Sequence, residues 1–415
     1  MAAALGVLVS CGSVKSGEEV VAASRDSKVV VAYVTSWSEV MPDPQYMTHI
    51  NYAFGHVNES FNGVKIDNEE RLRQIVDLRK QKPELKVLLS IGGWGSGRFS
   101  EMAANDEYRR AFVADCARVV KEFALDGIDI DWEYPTSSMA NISSSPDDTE
   151  NFTLLMQDIR AAIGNEKELT LATVASARYI DFKAILPSVD FVNIMAYDMA
   201  SAPKHHSALY PSGHSGDITS DGAVTAHLKA GVPPSKLVMG MPFYGRGGDG
   251  YPSFQDYNKV GNTDTQYTEK WDEVAQVPYL ADKNDTLVFG FENPRSLAIK
   301  CQYILDKDLL GGMYWDYSGD NEQGDLRRTV AENLLGKPHK AKVLVLTERG
   351  GQHGGFTDAG LRWLAAEGAK GNFSITEINN ARNITEAYLS QFSLVIQLDF
   401  PPYTWPKEAE DAFVK

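Results

Sequence analysis

Eight short apolar runs, separated by longer polar or amphipathic stretches, constrain the fold of this chain most strongly. They lie at residues 29–35, 49–54, 86–93, 127–134, 169–175, 189–197, 236–243 and 310–317. The runs are nearly continuous rather than alternating, which is typical of parallel strands buried on both faces. Eight such strands favour a closed barrel over an open sheet. The turn TSWSEV after the first run also lacks the GxGxxG pattern of a doubly wound dinucleotide-binding fold.

The segments between these runs have the patterns of helices and of one long loop region. Helical patterns follow the second, third and fourth runs, among them NEERLRQIVDLRK and DEYRRAFVADCARVVKEFA. The longest interruption extends from Arg246 to Leu287, and there we expect loops with one short helix around KWDEVAQ on the active-site face. The sequence therefore predicts an α/β fold, a (β/α)8 TIM barrel over residues 28–337.

Residues 338–415 have the pattern of a second, smaller α/β unit. PHKA (338–341) has the composition of a linker, and the strand candidates AKVLVLTE, FSITEIN and FSLVIQLD then alternate with two helical stretches. Three parallel strands are few for this class of fold. We therefore expect an incomplete flavodoxin-like piece.

Residues 1–27 have the pattern of a signal segment and a tether. MAAALGVLVSC is an apolar run too short to cross a bilayer, and it ends in a lipobox-like cysteine, Cys11. This predicts export, either as a bacterial lipoprotein at the cell surface or in the periplasm, or as a secreted protein. The other cysteines, Cys116 and Cys301, lie in helical patterns, and we expect them to be buried apolar side chains.

The formal charge of −16 argues against one class of partner. An acidic surface repels phosphate backbones, so we do not expect nucleic-acid binding, whereas a neutral ligand is indifferent to the charge. His205 and His206 are adjacent in a loop pattern, where a solvated pair is more common than a metal site. We expect no metal, no cofactor and a monomer.

The segment DGIDIDWEYP, residues 126–135, carries the candidate chemistry. Side chains alternate along a strand, so Asp129, Asp131 and Glu133 share one face, which is the interior of the predicted barrel. Buried carboxylates raise one another's pKa, and a glycosidase requires an acid that stays protonated near neutral pH. A solvated acidic loop and a metal site are the alternatives, but no His or Cys lies nearby in the segment to complete a metal site.

The pattern D-x-x-D-x-D-x-E, from Asp126 to Glu133, resembles the signature of family 18 glycoside hydrolases, the chitinases and their relatives. Further segments resemble the family in order: LSIGG (89–93), MAYD (195–198), GMPFYGR (240–246) and GGMYWDYSGD (311–320). The resemblance covers roughly residues 28–336. It implies a retaining, substrate-assisted reaction, in which the 2-acetamido carbonyl of the substrate attacks the anomeric carbon.

The resemblance also implies roles for individual residues. Glu133 would be the acid and later the base, and Asp131 would accept a hydrogen bond from the acetamido N–H. Asp129 would share a proton with Asp131, and Tyr197 would donate its phenol to the acetamido oxygen.

We further expect a set of substrate-binding residues at the strand ends. Trp315 would form the floor under the sugar to be cleaved, Asp198 would bind sugar hydroxyls, and Met195 lies in the same motif as Asp198. We expect Tyr33 and Phe54 either to line the pocket or to belong to the core. Trp94 would stack on a sugar or simply be exposed. Arg246 would bind the ligand or have a structural role at the mouth. The interruption after the seventh run is shorter than in many processive chitinases, which favours a shallow groove.

The C-terminal piece separately resembles ThuA-like domains, which are related to class I glutamine amidotransferases. KVLVLTERGGQHGGFTDAGLRWL carries this resemblance, with His353 in the first strand-to-helix loop.

For the barrel, the main hypothesis is hydrolysis of β-1,4-linked N-acetylglucosamine polymers. The alternatives are an endo-β-N-acetylglucosaminidase that acts on N-glycan chitobiose cores and an inactive chitin-binding lectin. Lectins of this type commonly lack the acid that Glu133 supplies here.

Overall fold

The computed structural model describes residues 28–248, 251–260, 266–336, 341–347, 354–369, 373–382, 384–389, 391–398 and 405–414. The chain divides into two compact units, one ending at Gly336 and one beginning at Lys337, and each is described by itself. The predicted lipid anchor Cys11, the rest of the predicted tether and His353 lie outside the described residues.

The first unit contains alternating strands and helices. In chain order, its strands are β1 (Val29–Thr35), β2 (His49–Val57), β3 (Val64–Ile66), β4 (Lys86–Gly92), β5 (Gly127–Asp131), β6 (Glu168–Val174), β7 (Phe191–Met195), β8 (Leu237–Pro242), β9 (Tyr244–Gly247), β10 (Gln255–Asp256), β11 (Thr268–Asp272), β12 (Val277–Ala281), β13 (Leu287–Gly290) and β14 (Gly311–Trp315). Its helices are α1 (Glu69–Val76), α2 (Phe99–Ala104), α3 (Asp106–Glu122), α4 (Asp148–Ile163), α5 (Phe182–Ile185), α6 (Ser220–Lys229), α7 (Pro294–Asp306) and α8 (Asp325–Leu334).

Eight of these strands close into a parallel barrel. Their order is β1-β14-β8-β7-β6-β5-β4-β2, and β1 also pairs with β2, so that no barrel edge is left open. Each of the eight predicted runs overlaps one of these strands. The prediction of an eight-stranded parallel barrel surrounded by helices is therefore confirmed.

Alternate residues of a barrel strand pack into two different environments. Along β1, Val30, Ala32 and Val34 belong to the large apolar cluster between strands and helices, whereas Val31 and Tyr33 belong to a small cluster inside the barrel. The inward-facing cluster is small because much of the interior is polar. Ser90, Asp129, Thr170 and Asn193 are all fully buried.

Helices α3 and α7 begin at side chains that accept hydrogen bonds from their first turn. Asn105 accepts hydrogen bonds from the backbone N–H groups of Glu107 and Tyr108 at the start of α3. Helix α7 begins with a capping box between Asn293 and Ser296. Cys116 on α3 and Cys301 on α7 are buried free thiols, as predicted.

The interruption between β8 and α7 is a five-stranded antiparallel sheet, in the order β10-β9-β13-β12-β11. The prediction of a short helix around KWDEVAQ was wrong. Trp271 lies in β11 and pairs with Pro278 of β12, and the Arg295 guanidinium lies 3.8 Å from the centre of the Trp271 ring. Asp272 accepts hydrogen bonds from the N–H groups of Val274 and Ala275, which closes a tight turn where a helix was expected.

The second unit contains a three-stranded parallel sheet, in the order β16-β15-β17. Its strands are β15 (Ala341–Thr347), β16 (Phe373–Ile378) and β17 (Leu394–Leu398), and each coincides with a predicted strand. Its helices are α9 (Gly354–Ala369), α10 (Glu386–Leu389) and α11 (Lys407–Val414). Across the described part of both units, no helix is long and apolar enough to cross a membrane.

Candidate active site

The three motif carboxylates lie one after another at the C-terminal end of β5. Asp129 and Asp131 are on the strand, which ends at Asp131, so Glu133 follows two residues beyond it rather than within a longer strand. Their exposed fractions are 0%, 4% and 9% in chain order. The column therefore rises from the barrel interior to the mouth, where (β/α)8 barrels carry their active sites.

Asp129, the deepest of the three, is held by four donors. Its carboxylate accepts hydrogen bonds from Tyr33 Oη at 2.8 Å and Ser90 Oγ at 2.8 Å. It also accepts from Thr170 Oγ1 at 2.6 Å and Asn193 Nδ2 at 3.4 Å. Burial raises the pKa of Asp129, and these hydrogen bonds to the charged form oppose the increase. Asp129 is the only predicted site residue that does not line the catalytic cavity described below.

Asp131 and Glu133 lack such a set of donors, and their pKa values rise. Burial raises the pKa of Asp131 well above its usual range, with further increases from Glu133 and Asp129. Its Oδ1 is buried and has no hydrogen-bond partner, so no hydrogen bond from this atom reaches Asp129. Burial raises the pKa of Glu133 to about 7, an increase that a hydrogen bond with Tyr134 opposes and the charge of Asp198 supports.

Two glycines hold the neighbouring strand close to this column. Gly92 has a φ of +132°, and a Cβ there would lie 2.0 Å from the carbonyl oxygen of Asp131. At Gly93, with a φ of +93°, a Cβ would lie 2.6 Å from the ring of Phe54. The Gly93 N–H donates to the Asp131 carbonyl at 2.9 Å. The two glycines of LSIGG are therefore required by close backbone approach.

The MAYD segment brings Tyr197 and Asp198 to the mouth from the end of β7. Tyr197 is partly buried, with its Oη 3.7 Å from Met313 Sδ. Asp198 forms a two-point ion pair with Arg246, whose Nε and Nη2 each lie 2.6 Å from a carboxylate oxygen. Burial raises the pKa of Asp198, but hydrogen bonds from Arg246 and His206 outweigh it and hold the pKa well below its usual range.

The expectation of a solvated His205–His206 pair was wrong. Their exposed fractions are 2% and 1%, because the loop after β7 packs under the inserted sheet. His205 Nε2 lies 3.2 Å from Asp272 Oδ2 of β11, and His206 Nδ1 lies 3.5 Å from Asp198 Oδ1. Burial lowers the pKa of His205 to about 4, although Asp272 opposes the decrease. His206 was not predicted as a site residue, because the sequence gives no signal for the burial of this loop.

Aromatic side chains surround the carboxylates at the mouth. The ring of Trp315 stacks on Phe54, with centroids 5.6 Å apart, and lies 5.6 Å from Tyr33. Trp37 and Trp94 are 64% and 61% exposed, so their faces are open to a ligand.

Together these groups line one cavity of about 730 Å³, here called the catalytic cavity. The predicted residues that line it are Tyr33, Phe54, Trp94, Asp131, Glu133, Met195, Tyr197, Asp198, Arg246 and Trp315.

The cavity also has lining residues that the sequence analysis did not single out. Tyr134 directly follows Glu133 in the sequence, and Tyr244 lies within GMPFYGR, two residues before Arg246. Their closeness in sequence to these predicted residues could have indicated them. Phe254 stacks on Tyr244 with ring centroids 4.7 Å apart, and Met139 is 65% exposed. Both come from loops in which no pattern marks a contact with the cavity.

The described residues include no group of three or more His, Cys, Asp or Glu side chains placed to hold a metal ion. The cavity itself presents carboxylates, phenols and aromatic faces. A carboxyl group with a pKa near 7 at the mouth can donate a proton and take it back near neutral pH. Stacked aromatic rings offer apolar surfaces.

A closed parallel barrel with this column of acids at its C-terminal mouth defines a chitinase-like glycoside hydrolase. The family model "Glycosyl hydrolases family 18" matches residues 29–320. The chain therefore belongs to glycosyl hydrolase family 18.

Individual relatives are similar over the same region. Chitinase A1 of Niallia circulans is 29% identical, over 73% of this chain and 58% of that protein. Chitotriosidase-1 of Mus musculus is 31% identical, over 71% of this chain and 74% of the relative. A solved structure of a family 18 N-acetylglucosaminidase from Paenibacillus barengoltzii is 32% identical with a TM-score of 0.69, covering 74% of this chain and all of that one.

Proposed function

We propose that this protein hydrolyses β-1,4-linked N-acetylglucosamine chains with retention, through attack by the acetamido group of the substrate. The observation that carries the proposal is the buried Oδ1 of Asp131, which has no hydrogen-bond partner beside Glu133. An unpaired buried acceptor is costly, and the N–H of a bound acetamido group would satisfy it. A sugar without that group would leave the acceptor unpaired.

The reaction then proceeds in two balanced steps. Glu133 donates its proton to the glycosidic oxygen as the bond to the anomeric carbon breaks, and the acetamido oxygen forms a bond to that carbon. Asp131 accepts the acetamido N–H and stabilises the positive charge that develops. In the second step Glu133 takes a proton from water, and the water oxygen displaces the acetamido oxygen on the face of the departed group, which retains the configuration.

The surrounding residues orient the sugar. Tyr197 donates its phenol to the acetamido oxygen, and Trp315 offers an aromatic face to the ring being cleaved. The Asp129 carboxylate already accepts four hydrogen bonds, so it acts on the site through its charge. That charge contributes to the raised pKa of Asp131. The earlier expectation of a proton shared between Asp129 and Asp131 has no direct hydrogen bond in its support. Asp198 and Arg246 form the polar edge of the cavity.

The names of the relatives support this substrate class. Chitinase A1 and chitotriosidase-1 are named for chitin and its trimer, and the Paenibacillus barengoltzii protein is described as an N-acetylglucosaminidase. The last description favours release of single sugars as a second mode of action. An N-glycan endoglycosidase and a lectin remain the alternatives, although the acid Glu133 is in place.

Product analysis on chitohexaose tests the proposal, with Glu133→Gln as the matched variant. We expect the wild type to release short oligomers that are initially β-anomers, and the variant to lose at least about 100-fold in rate, the scale of general acid catalysis. Release of single units only would indicate exo action. Cleavage of a glycoprotein at its chitobiose core, with chitohexaose left intact, would support the N-glycan endoglycosidase instead. Binding of chitohexaose without cleavage would support the lectin.

Three further assignments belong to the proposal. The LVSC run at Cys11 supports export as a lipoprotein, KVLVLTERGGQHGGFTDAGLRWL supports a ThuA-like C-terminal piece, and we expect a monomer. Incorporation of labelled fatty acid in intact cells, compared with Cys11→Ser, tests the first. Sedimentation of the purified chain tests the last.

A further inference from the structure

Three side chains outside the catalytic cavity form a hydrogen-bonded line at the C-terminal end of the barrel. Ser96 Oγ lies 2.8 Å from His56 Nδ1, and His56 Nε2 lies 2.9 Å from Asp67 Oδ2. None of the three lines the catalytic cavity, and the glycosidase reaction proposed above does not use them. A hydroxyl, an imidazole and a carboxylate in this order are the groups of nucleophilic acyl transfer.

The hydrogen bonds fix the direction in which a proton can move along this line. An ionised carboxylate only accepts hydrogen bonds, so in a neutral His56 ring Nε2 carries the hydrogen and donates it to Asp67. The lone pair of Nδ1 then accepts the hydrogen bond of the Ser96 hydroxyl. The two ring nitrogens are exchanged relative to the serine proteases. The requirement is nevertheless the same, a base beside the hydroxyl that a carboxylate holds in one tautomer.

The base and the acid are positioned by the backbone of the barrel. His56 is on β2, and β3 pairs antiparallel beside it, so that Asp67 directly follows β3. The Asp67 N–H donates to the carbonyl of Phe54 at 3.0 Å, and the Asp67 carbonyl accepts from Tyr52 Oη at 2.9 Å. Because these contacts fix the Asp67 main chain, its carboxylate faces His56 without any contribution from a ligand.

The Ser96 hydroxyl lies on the turn between β4 and α2, with open space on both sides. Its neighbours are glycines, and apart from adjacent residues a Cβ at Gly95 or Gly97 would meet nothing closer than 3.6 Å. The Ser96 N–H donates to the Gly93 carbonyl at 2.9 Å, which closes the turn. The Gly97 N–H donates to no other described residue, so it can bind the oxygen on which negative charge develops during attack at a carbonyl.

The surroundings of the line indicate which acyl compound it would accept. The His56 and Asp67 side chains are 28% and 40% exposed, so water can reach the base. The net charge of −16 disfavours an anionic ligand. Trp94, two residues before Ser96, lines the catalytic cavity, as does Phe54, whose ring centroid is 6.2 Å from that of His56. A neutral acyl group on a sugar hydroxyl would therefore arrive beside Ser96.

We propose that Ser96, His56 and Asp67 form a second active site, which hydrolyses short-chain O-acyl esters of sugars. The Ser96 oxygen attacks the ester carbonyl carbon while His56 Nδ1 takes the hydroxyl proton, and that proton passes to the departing alcohol as the ester C–O bond breaks. Water then attacks the acyl-serine and gives its proton to His56, which returns it to Ser96 Oγ as the carboxylic acid leaves. Asp67 stays ionised and stabilises the imidazolium in both steps. The sugar part of this assignment rests on the proposed function, whereas ester hydrolysis does not.

Hydrolysis of 4-nitrophenyl acetate by the whole chain tests the second active site. Ser96→Ala should lower kcat/KM by at least about 100-fold, and His56→Gln should lower it on the same scale, that of acid–base catalysis. The glutamine amide offers an acceptor to Ser96 and a donor to Asp67 but cannot take a proton, so a purely structural link would tolerate it. Ser143→Ala is the matched control, because Ser143 is exposed and donates to Glu101 at 2.7 Å rather than to a histidine.

Phosphonylation gives a measurement that does not depend on the folding of a variant. An activated serine oxygen displaces fluoride from a fluorophosphonate and keeps the phosphonyl group, so we expect mass spectrometry of the wild type to locate the adduct on Ser96. No adduct there, or ester hydrolysis unchanged in Ser96→Ala, overturns the proposal.

An O-acetylated chitotriose tests the sugar part of the assignment. We expect the wild type to release acetate from it and Ser96→Ala to release none. If the wild type hydrolyses 4-nitrophenyl acetate through Ser96 but releases no acetate from the sugar, the sugar assignment is overturned. A chain that leaves chitohexaose intact but hydrolyses esters through Ser96 would refute the proposed function and leave the second active site standing.

Discussion

Glu133 combines two properties that a proton donor requires, contact with the cavity and a pKa near the working pH. The residue is 9% exposed, and burial raises its pKa to about 7, with a further increase from the charge of Asp198. The acid form therefore predominates below about pH 7 and is lost above it. The alkaline limb of kcat/KM should report this loss.

Asp198→Asn should move that limb to lower pH. Removal of the negative charge withdraws one contribution that raises the pKa of Glu133, so Glu133 deprotonates earlier as the pH rises. The measurement is kcat/KM on chitotetraose across the pH range. Asp147→Asn is the control, because Asp147 is exposed and its side chain does not cap α4. An alkaline limb that stays in place, or moves upward, would show that Asp198 does not act on Glu133.

His206→Phe should act on the opposite limb. The substitution keeps the ring against Tyr244, whose centroid is 5.3 Å away, but removes the nitrogen near Asp198. Because His206 helps to hold the pKa of Asp198 low, we expect that pKa to rise and the acid limb of kcat/KM to move to higher pH. The alkaline limb should stay in place. His227→Phe, at a buried histidine on α6, is the control, and an equal change in both variants would contradict a specific role.

The catalytic residues were predictable from sequence to different degrees. Asp129 and Asp131 are spaced by two on β5, so strand geometry alone places them on one face; the same spacing predicted Glu133 beside them, although the strand ends at Asp131. Asp198 and Arg246 were each predicted at the mouth, but their ion pair joins segments that are 48 residues apart, and only the barrel brings those strand ends together. The burial of His206 depends on a sheet that the sequence analysis did not predict.

At the scale of elements, the barrel strands could be predicted from sequence because they are buried on both faces. The strands of the inserted sheet could not, because they lack such a pattern. A strand such as β4 is buried along nearly its whole length, and its apolar run is correspondingly continuous. By contrast, β9 reads YGRG and β10 has only two residues, so neither has an apolar period. Those strands are specified by pairing with distant partners, as in Gly290 with Arg246, which no local pattern records.

The junction between the loop after β7 and helix α7 contains a fully buried ion pair. Lys300 on α7 bonds to Glu292 and to the carbonyl of Ser207, and both charged side chains are 0% exposed. Lys300→Met should cost about 3–5 kcal/mol of unfolding free energy, because it leaves the Glu292 carboxylate buried without its cation. Denaturant unfolding of the whole chain gives this value.

A double variant separates the charge from the packing. Lys300→Met with Glu292→Gln removes both charges and keeps an acceptor for Ser207 Oγ, so we expect it to regain most of the lost stability. If the double variant is as unstable as the single one, the loss comes from packing of the lysine stem and not from the unpaired charge.

At the scale of the whole molecule, the two units differ in how much of their function could be predicted from the sequence. Both sheets were predicted strand by strand, β15 to β17 as well as the barrel. In the barrel, motif residues at successive strand ends converge on one cavity. In the second unit the three strands pair as a parallel sheet, and His353 lies outside the described residues.

The net charge of −16 should affect one substrate and not another. Chitooligosaccharides are neutral, so the field of the protein exerts no steering on them, whereas partly deacetylated chitosan is a cation in mildly acidic buffer and is attracted. Raising the salt from about 0.01 M to about 1 M shortens the Debye length from about 30 Å to about 3 Å. We expect kcat/KM on partly deacetylated chitosan to fall several-fold over that range and kcat/KM on chitohexaose to change by less than about twofold. Chitohexaose is the internal control, because the bonds cleaved are the same. An equal salt effect on both substrates would mean that salt acts on the catalytic cavity itself rather than on the approach of the polymer.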